Sequence, residues 1–284
     1  CMKYEISQLQ YVEFLNSLTF AQQQTRITTD PTSASGTYVT FGANYYRNGI
    51  VIETPGNNAA IPAVFGCDAT NGVFNNVNDG QSGAMNNLSW ADLAAYLDWA
   101  ALRPMTELEF EKVCRGTMPR VAGEYPWGDT TINAFYSTTV VNPLQPTEAA
   151  NAVVNGRCAV ALGSANPGYG PLKVGVFATS TSGRSSAGAS YYGAMEMGGN
   201  VVERTITVAN ASGVAFNGTL GDGTLTAIGN ANQATWPSIS TATGVGQRGG
   251  EYVSPASYAR TSDRTVAGST DATRQYTYGG RGVR

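Results

Sequence analysis

The chain has 284 residues, 42% of them hydrophobic, which is enough to bury a sizeable core and excludes a wholly disordered polymer. Only 13% of the residues are charged, about half of the share usual in soluble domains, and the net charge is −3. No run of 18 apolar residues predicts a membrane span, and the scattered basic residues argue against a nucleic-acid partner.

The first part of the chain predicts one helix followed by loops. Residues 1–6 are expected to form the end of a strand, and residues 7–18 a helix with Ser7 as its N-cap. The apolar face of this helix consists of Tyr11, Phe14, Leu15 and Leu18. The following stretch is rich in Pro, Gly and Asn and predicts loops, with short strands at 37–41 and 49–53.

Two more helices are predicted in the middle of the chain. Ser89 and Asp92 have the spacing of a capping box before an apolar face. Thr106 is expected to cap a third helix, Glu107–Arg115, which Gly116 ends.

Beyond residue 117 the chain is rich in Gly, Thr, Ser and Asn, and only short strands are predicted, such as 201–208. The sequence therefore predicts a single α+β domain over residues 1–284, with two or three helices, short strands and extensive loops.

Histidine is absent from the sequence. The commonest general base and the usual zinc and non-haem iron ligands are therefore missing. Four cysteines occur without a C-x-x-C spacing, which argues against a zinc ribbon or a thioredoxin-type motif. They are Cys1, Cys67, Cys114 and Cys158. Both disulfide bonds and buried free thiols are compatible with this pattern, and four cysteines allow three full pairings.

Six blocks of the sequence resemble, in the same order, the blocks of formylglycine-generating-enzyme-like domains. They are residues 2–15, 88–116, 125–128, 192–203, 248–250 and 279–284. The resemblance implies a C-type-lectin-like fold. It also implies a strand before the first block, and none precedes residue 1 here. Either preceding residues were cut or omitted, or a neighbouring copy adds a strand beside residues 1–6.

The resemblance also implies where catalysis would occur. In the formylglycine-generating enzymes two cysteines, five positions apart after an Arg-Gly-Gly-type turn, bind copper(I). The corresponding positions here hold Ser254 and Ala259. Neither side chain can ligate copper(I), which prefers thiolates. Related sulfoxide synthases use a three-histidine iron site, and this sequence has no histidine. We therefore expect neither the copper nor the iron chemistry of these enzymes, and no bound copper, iron or zinc.

The resemblance implies that this chain retains a calcium site of the family. Its ligands would be the side chains of Glu196 and Glu203 and the carbonyls of Gly199 and Val201. Glu196 stands where Asp or Asn is usual in the family. The alternative is that both glutamates pair with nearby arginines such as Arg204.

The absent redox ligands and the low charge favour a non-catalytic module that is secreted or lies at the cell surface. It would serve binding, display or adhesion, or build a filament-like assembly, with copies of itself or a surface protein or glycan as partners. The candidate binding surface consists of Tyr252, Tyr258, Tyr276 and Tyr278, although burial in a loop-rich core is the competing interpretation of most tyrosines.

An enzyme with altered, non-copper chemistry is the competing hypothesis for the function. It would use Glu251, Tyr252, Ser254 or Asp263, in the cleft near Tyr252 and Asp263. Four arginines are expected to tether loops rather than to bind a substrate. They are Arg103, Arg115, Arg248 and Arg281.

Overall fold

Short helices and strands are joined by long irregular segments in the computed structural model, which describes residues 1–40, 45–57, 61–135, 140–161 and 169–284. The helices in these ranges are α1 (Gln8–Asn16), α2 (Phe20–Arg26), α3 (Trp90–Trp99), α4 (Glu107–Arg115) and α5 (Ala211–Val214). The predicted mixture of helices and short strands is confirmed. Over the described residues, no helix is both long and apolar enough to cross a bilayer.

The strands form two-stranded sheets. They are β1 (Ile50–Thr54), β2 (Val64–Cys67), β3 (Arg103–Pro104), β4 (Asn133–Ala134), β5 (Val140–Val141), β6 (Ala149–Ala150), β7 (Arg157–Cys158), β8 (Glu203–Ile206), β9 (Val245–Arg248) and β10 (Gly282–Val283). β1–β2, β3–β10, β5–β6 and β8–β9 are antiparallel, whereas β4–β7 is parallel. Because each strand has one strand neighbour, many backbone groups need partners from elsewhere.

Capping boxes begin the first four helices. Each N-cap hydroxyl accepts a hydrogen bond from the backbone three residues on, and the side chain at that position bonds back. The pairs are Ser7–Gln10, Thr19–Gln22, Ser89–Asp92 and Thr106–Glu109. The prediction missed α2, because the Pro- and Gly-rich composition of the following loop concealed the Thr19–Gln22 signal.

The largest apolar cluster lies around α1, β1, β2 and α3. Trp90 is completely buried at its centre, and its ring N–H donates to the carbonyl of Pro237 at 3.0 Å. Phe14 of α1 contacts Tyr96 and Trp99 of α3, with ring centroids 5.7 and 5.3 Å away. These contacts fix α1 against α3.

Side-chain amides substitute for a missing strand beside β2. Gln23 of α2 both accepts from the amide of Ala63, at 2.8 Å, and donates to its carbonyl, at 2.9 Å. Asn16 of α1 bonds to Phe65 in the same way, at 2.8 and 3.0 Å. This edge of β2 is therefore satisfied by side chains and is closed to another strand at these residues.

Two other amide side chains hold loops in the same manner. Gln8 donates to the carbonyl of Arg47 and accepts from the amide of Gly49, both at 2.8 Å. Asn200 accepts from the amide of Leu172 at 2.7 Å and donates to its carbonyl at 3.4 Å. The loops are thus ordered without regular secondary structure.

The prediction of a strand at residues 1–6 is wrong, because this segment bonds to several parts of the chain instead of one neighbour. Its backbone bonds of 2.7–3.0 Å join Met2 to Gly282, Ile6 to Gly280, Lys3 to Met195 and Ile6 to Met85. Three separate stretches therefore already occupy backbone groups of the segment.

The other predicted strands are found in part. The segment 49–53 corresponds to β1, and β8 is shorter than the predicted 201–208. In the segment 37–41, Tyr38 forms a single bridge with Val51, and residue 41 lies outside the described residues.

Candidate functional site

The two positions that would carry copper ligands are both buried. Ser254 is 4% exposed and closes a turn, in which its amide donates to the carbonyl of Glu251 at 2.9 Å. Its hydroxyl accepts from the amide of Glu251 at 3.3 Å. Ala259 is completely buried and packs in a cluster with Tyr125, Trp127, Cys158 and Val160. Both side chains are therefore committed to local packing.

The residues of the enzyme hypothesis do not converge on one point. Burial raises the pKa of Glu251, and a hydrogen bond with Ser254 opposes this shift. The hydroxyl of Tyr252 donates to the carbonyl of Tyr276 at 3.1 Å. The carboxylate of Asp263 instead caps the adjoining turn, where it accepts the amide of Thr265 at 3.1 Å. Only Glu251 and Ser254 interact directly as a polar pair.

A cluster of four tyrosines lies beside this turn. The rings of Tyr46 and Tyr276 are stacked, with centroids 4.3 Å apart, and Tyr169 lies 5.3 Å from Tyr46. Tyr252 contacts Tyr169 edge-on at 5.3 Å. Tyr252 is completely buried and cannot contact a partner, which corrects its assignment to the binding surface. Tyr46, Tyr169 and Tyr276 are half-buried and form the outer part of the cluster.

The remaining predicted surface tyrosines lie elsewhere. Tyr258 is half-buried and lies against Gly250. The hydroxyl of Tyr278 donates to Asp271 at 3.1 Å, and the guanidinium of Arg204 covers its ring at 4.9 Å. Of the four predicted surface tyrosines, the structure thus brings Tyr252 and Tyr276 together. Sequence reasoning did not find Tyr169, because the Gly-rich sequence around it shows no pattern typical of a binding site.

The predicted calcium ligands Glu196 and Glu203 lie in a buried acidic cluster. Arg281 donates two hydrogen bonds, of 2.7 and 3.0 Å, to one carboxylate oxygen of Glu203. One oxygen of Glu196 accepts the amide of Gly175 at 3.0 Å. The second oxygen of each glutamate is buried, and the described residues supply neither of them with a hydrogen-bond partner.

Glu5, which sequence reasoning missed, is the third carboxylate of the cluster. It accepts from the side-chain amide of Asn200 at 2.6 Å and from the backbone amide of Val201 at 3.1 Å. Burial raises the pKa of Glu5, and its neighbour Glu203 raises it further. Burial likewise raises the pKa of both Glu196 and Glu203 to about 7, against the opposing charge of Arg281.

The Arg-Gly-Gly turn also borders this cluster. Gly249 adopts a φ of 84°, and a Cβ atom there would lie 2.6 Å from the unpaired oxygen of Glu203. Only glycine leaves room for the carboxylate in this backbone conformation.

Arg204, the alternative partner of the two glutamates, does not pair with either of them; it bonds to the carbonyl of Asp271. The partner of Glu203 is therefore Arg281.

The donors of the cluster suit a hard cation, because two buried carboxylate oxygens are free of hydrogen bonds. Within the described part of the chain, no group of three or more His, Cys, Asp or Glu side chains is arranged to hold a metal ion by itself. An ion at Glu196 and Glu203 would therefore need backbone carbonyls as further ligands. Those of Gly199 and Val201 belong to the same loop.

The prediction that four arginines tether loops is confirmed. Arg248 is buried and bonds to Glu107 at 3.1 Å and to the carbonyl of Thr261 at 2.7 Å. The other pairs are Arg103–Glu109, Arg115–Glu124 and Arg281–Glu203. Arg248 joins α4 to the C-terminal segment that contains Thr261, and Arg281 joins the end of the chain to β8.

The family model of the sulfatase-modifying factor enzyme 1-like domain matches residues 1–284. The chain belongs to this family. A comparison with curated proteins returns no match.

Membership of the sulfatase-modifying factor family confirms the resemblance that the six sequence blocks indicate. The blocks at 192–203 and 248–250 supply the two glutamates of the acidic cluster and the turn that borders it. The family's sequence pattern thus coincides here with a buried polar centre, whose cation-binding capacity can be tested separately from catalysis.

Proposed function

We propose that the chain is a non-catalytic binding or assembly module, secreted or at the cell surface, on a C-type-lectin-like scaffold. The observation that carries the proposal is the burial of Ser254 and Ala259 at the positions of the copper-binding cysteines. Copper(I) needs soft thiolate ligands, and neither residue supplies one.

The thiol that packs with Ala259 does not restore a copper site. Cys158 packs in the same apolar cluster as Ala259, and its Sγ donates to the carbonyl of Gly198 at 3.1 Å. Burial raises the pKa of this thiol, so it stays protonated at neutral pH. A single protonated thiol is a poor ligand for a soft metal ion.

The half-buried tyrosines favour a binding role for the same region. Tyr46, Tyr169 and Tyr276 support one another by ring contacts, with the buried Tyr252 beneath them. Aromatic side chains held in this way offer contact area at a low cost in conformational entropy. Partners of this surface would be copies of the chain, or a protein or glycan on another surface.

Calcium is the proposed resident cation. Glu196, Glu203 and the carbonyls of Gly199 and Val201 would hold it, and its charge would neutralise the desolvated carboxylates. Glu5 would orient the loop, because its carboxylate accepts the amide of Val201. The carbonyl of Val201 would then be the group of this residue that contacts the ion. The ion would thus stabilise the fold without a role in catalysis.

Copper binding and oxygen consumption test the absence of catalysis. We expect no stoichiometric copper(I) and no oxygen uptake with a cysteine-containing peptide. A double variant, Ser254→Cys with Ala259→Cys, should gain copper(I) binding because it restores the thiolate pair. Stoichiometric copper in the natural chain, together with turnover of the peptide, would overturn the proposal that the chain is non-catalytic.

Thermal unfolding during a calcium titration tests the cation site. After EDTA treatment, calcium at a hundredfold excess over its Kd should stabilise the chain by about 2.7 kcal/mol. Glu196→Gln should abolish this response. Glu109→Gln is the matched control, because Glu109 pairs with Arg103 outside the cluster. An unchanged response in Glu196→Gln would refute the assignment of this ligand.

Light scattering tests self-association. If the chain assembles with its own copies, the apparent mass should rise with protein concentration. A constant monomer mass at high concentration would leave a foreign protein or glycan as the partner.

A further inference from the structure

The charges that reach solvent have the opposite balance to the net charge of the sequence. Every charged residue lies in the described part of the structure, and ten of the 20 acidic side chains are buried, against five of the 17 basic ones. The exposed acidic residues are Glu13, Asp30 and Asp222. The exposed basic residues are Lys3, Lys112, Arg120, Arg260, Arg264 and Arg284. The surface is therefore more basic than the sequence pI of 5.1 indicates.

The exposed basic residues converge on α4. Lys112 belongs to this helix, and Arg120 follows its end by five residues. Arg264 is paired with Glu107 of α4 at 2.8 Å. Lys3 lines a cleft together with Val113 of α4.

The last two basic residues each follow or precede a residue that contacts α4, directly or through Arg248. Arg260 precedes Thr261, whose carbonyl accepts from Arg248, the partner of α4. Arg284 follows Val283, which packs in the cluster that contains Phe110 of α4.

The exposed acidic residues belong to the region around α1–α3. Glu13 lies on α1, and Asp30 follows α2 by four residues. The amide of Asp222 donates to Asp98 of α3 at 3.0 Å. The most exposed charges of opposite sign thus lie in two different regions, and the partly exposed carboxylates of α4, Glu109 and Glu111, are paired with arginines.

Two clefts flank the C-terminal end of α4. One has a volume of about 410 Å³ and is lined by Cys1, Lys3, Val113, Tyr192, Gly193 and Ala194. The other, of about 210 Å³, is lined by residues that include Arg115, Met118, Val121 and Arg184.

Tyr191 connects these clefts. Its ring centroid lies 4.9 Å from that of Tyr192 and 5.5 Å from the guanidinium carbon of Arg184. We call the two clefts, Tyr191 and the basic residues around them the α4 face.

We propose that the α4 face binds an anionic polysaccharide, whose carboxylate or sulfate groups contact the exposed cations. Tyr192 is 59% exposed, and its flat ring can stack on the apolar face of a sugar. Two adjacent clefts on one basic surface match a ligand that repeats along its length. The inference rests on the proposed binding role of the chain, and it names the chemical class of one partner.

Charge and shape together favour this ligand over the alternatives. The exposed cations provide long-range attraction for a polyanion. The larger cleft has the size of small-ligand sites and an apolar wall formed by Val113 and Ala194. An extended sugar chain can enter such clefts, whereas a rigid nucleic-acid duplex would contact only their rims.

Binding of the full chain to immobilised dextran sulfate and polygalacturonate, with neutral dextran as the reference, tests the proposal. Both anionic polymers should be bound and neutral dextran should not. The affinity should fall at least about tenfold between about 50 mM and about 500 mM NaCl, because salt screens the contacts. Equal binding of neutral dextran would overturn the role of charge.

Two triple variants with the same net charge locate the contact. Lys3→Gln with Lys112→Gln and Arg120→Gln removes three cations from the α4 face. The matched control adds three carboxylates at exposed positions of α1 and α2, and its changes are Gln10→Glu, Ala21→Glu and Gln24→Glu. Each variant lowers the net charge by three from −3. We expect an affinity loss of about tenfold or more for the first variant and less than about twofold for the control.

A neutral variant separates the ring contact from charge. Tyr192→Ser should weaken polysaccharide binding and leave the folded chain intact, because this side chain is exposed. Equal losses in both triple variants would refute a localised site. DNA that binds as tightly as the polysaccharides would also refute it, by showing unselective attraction of polyanions.

Self-association provides the remaining discriminating outcome. If the α4-face variant changes light scattering without any polymer, and the polymers do not bind, the face is an interface between copies and the polysaccharide proposal fails. The binding or assembly role would survive that result. Turnover of a substrate by the chain would overturn that role, whereas a failure to bind the polymers would not, so the two failures are distinguishable.

Discussion

The regions around α1–α3 and around α4 both contain short strands and long loops, but different interactions hold these segments together. Around α1–α3 a large apolar cluster carries the packing, and neutral amides such as Gln23 and Asn16 satisfy the strand edge. Around α4 the apolar clusters are smaller, and buried arginine–carboxylate pairs such as Arg248–Glu107 join the segments. Asp92 with Arg26 and Arg274 is an ionic exception in the first region.

The difference shows how a loop-rich fold provides hydrogen-bond partners for its backbone amides and carbonyls. Short strands leave amides and carbonyls without a ladder partner, so side chains must supply the bonds. Neutral amides do this independently of pH, whereas ion pairs make the second region sensitive to protonation and to the loss of one partner. We therefore expect the two regions to respond differently to mutation and to pH.

The largest expected effect is in the acidic cluster. Arg281→Met removes the one guanidinium that bonds to Glu203 and leaves Glu5 and Glu196 in the same buried site. Breaking a buried ion pair by removing one partner costs about 4 kcal/mol. Denaturant unfolding should report this loss. Arg260→Met is the control, with a change below about 0.5 kcal/mol because Arg260 is exposed.

The pH dependence of metal-free protein tests the same cluster. The pKa of Glu196 and Glu203 rises from 4.5 to about 7 on folding, chiefly because of burial. The folded state therefore binds protons more tightly than the unfolded state. The resulting stability is present below the unfolded pKa and is lost as the pH rises through the folded pKa.

Between about pH 5 and about pH 8, in EDTA, this loss should be about 3 kcal/mol for each of the two carboxyls. Thermal unfolding across this range measures it. Glu196→Gln should reduce the slope by about half, because Glu203 still titrates, whereas Glu109→Gln should retain it. A stability that rises with pH over the same range would contradict the assigned direction of the shifts.

A smaller effect is expected in the amide-held region. Gln23→Leu keeps a similar volume but leaves the amide and the carbonyl of Ala63 without their partner. Two buried polar groups without hydrogen bonds should cost about 2 kcal/mol. The control is Gln24→Leu on the exposed side of the same helix, with little change. Equal effects of both substitutions in urea unfolding would show that the clamp does not stabilise β2.

The smallest effect is expected in a thiol assay, which compares the two regions in the folded protein by the reactivity of their cysteines. All four cysteines are free thiols, so of the two interpretations that the sequence permits, the structure supports free thiols. Only Cys1 is exposed. Burial raises the pKa of Cys67 to about 12 and raises those of Cys114 and Cys158 as well.

A thiol reagent should therefore modify one cysteine in the native state and four after unfolding. Reaction of Cys114 or Cys158 before unfolding would indicate that the region around α4 opens more readily than the region around α1–α3. A native reaction of Cys67 alone would reverse that comparison.

Local signals predicted the elements that local chemistry determines. An N-cap hydroxyl before an apolar face marks α1, and a hydroxyl with an acid three residues on marks α3 and α4. A similar signal was present for α2 at Thr19 and Gln22. Alternating patterns located β1 and β8. The segment 1–6 was mispredicted because its partners come from distant parts of the chain.

The candidate site was predictable only in part. The family resemblance led to Glu196 and Glu203, because they stand in one sequence block. It did not lead to Glu5, which is 195 positions from its partner Asn200. Neither the convergence of Tyr46, Tyr169 and Tyr276 nor the burial of Tyr252 has a local signature.

The sequence by itself determined the family, the helix starts, and the absence of imidazole and paired thiolates at the family's copper positions. These properties depend on residue identity and on spacings of a few residues. Only the tertiary structure decided which carboxylates lose their water and which cations keep it. Desolvation depends on neighbours that the fold brings together from opposite ends of the chain, so a sequence with a net charge of −3 can present a basic face around α4.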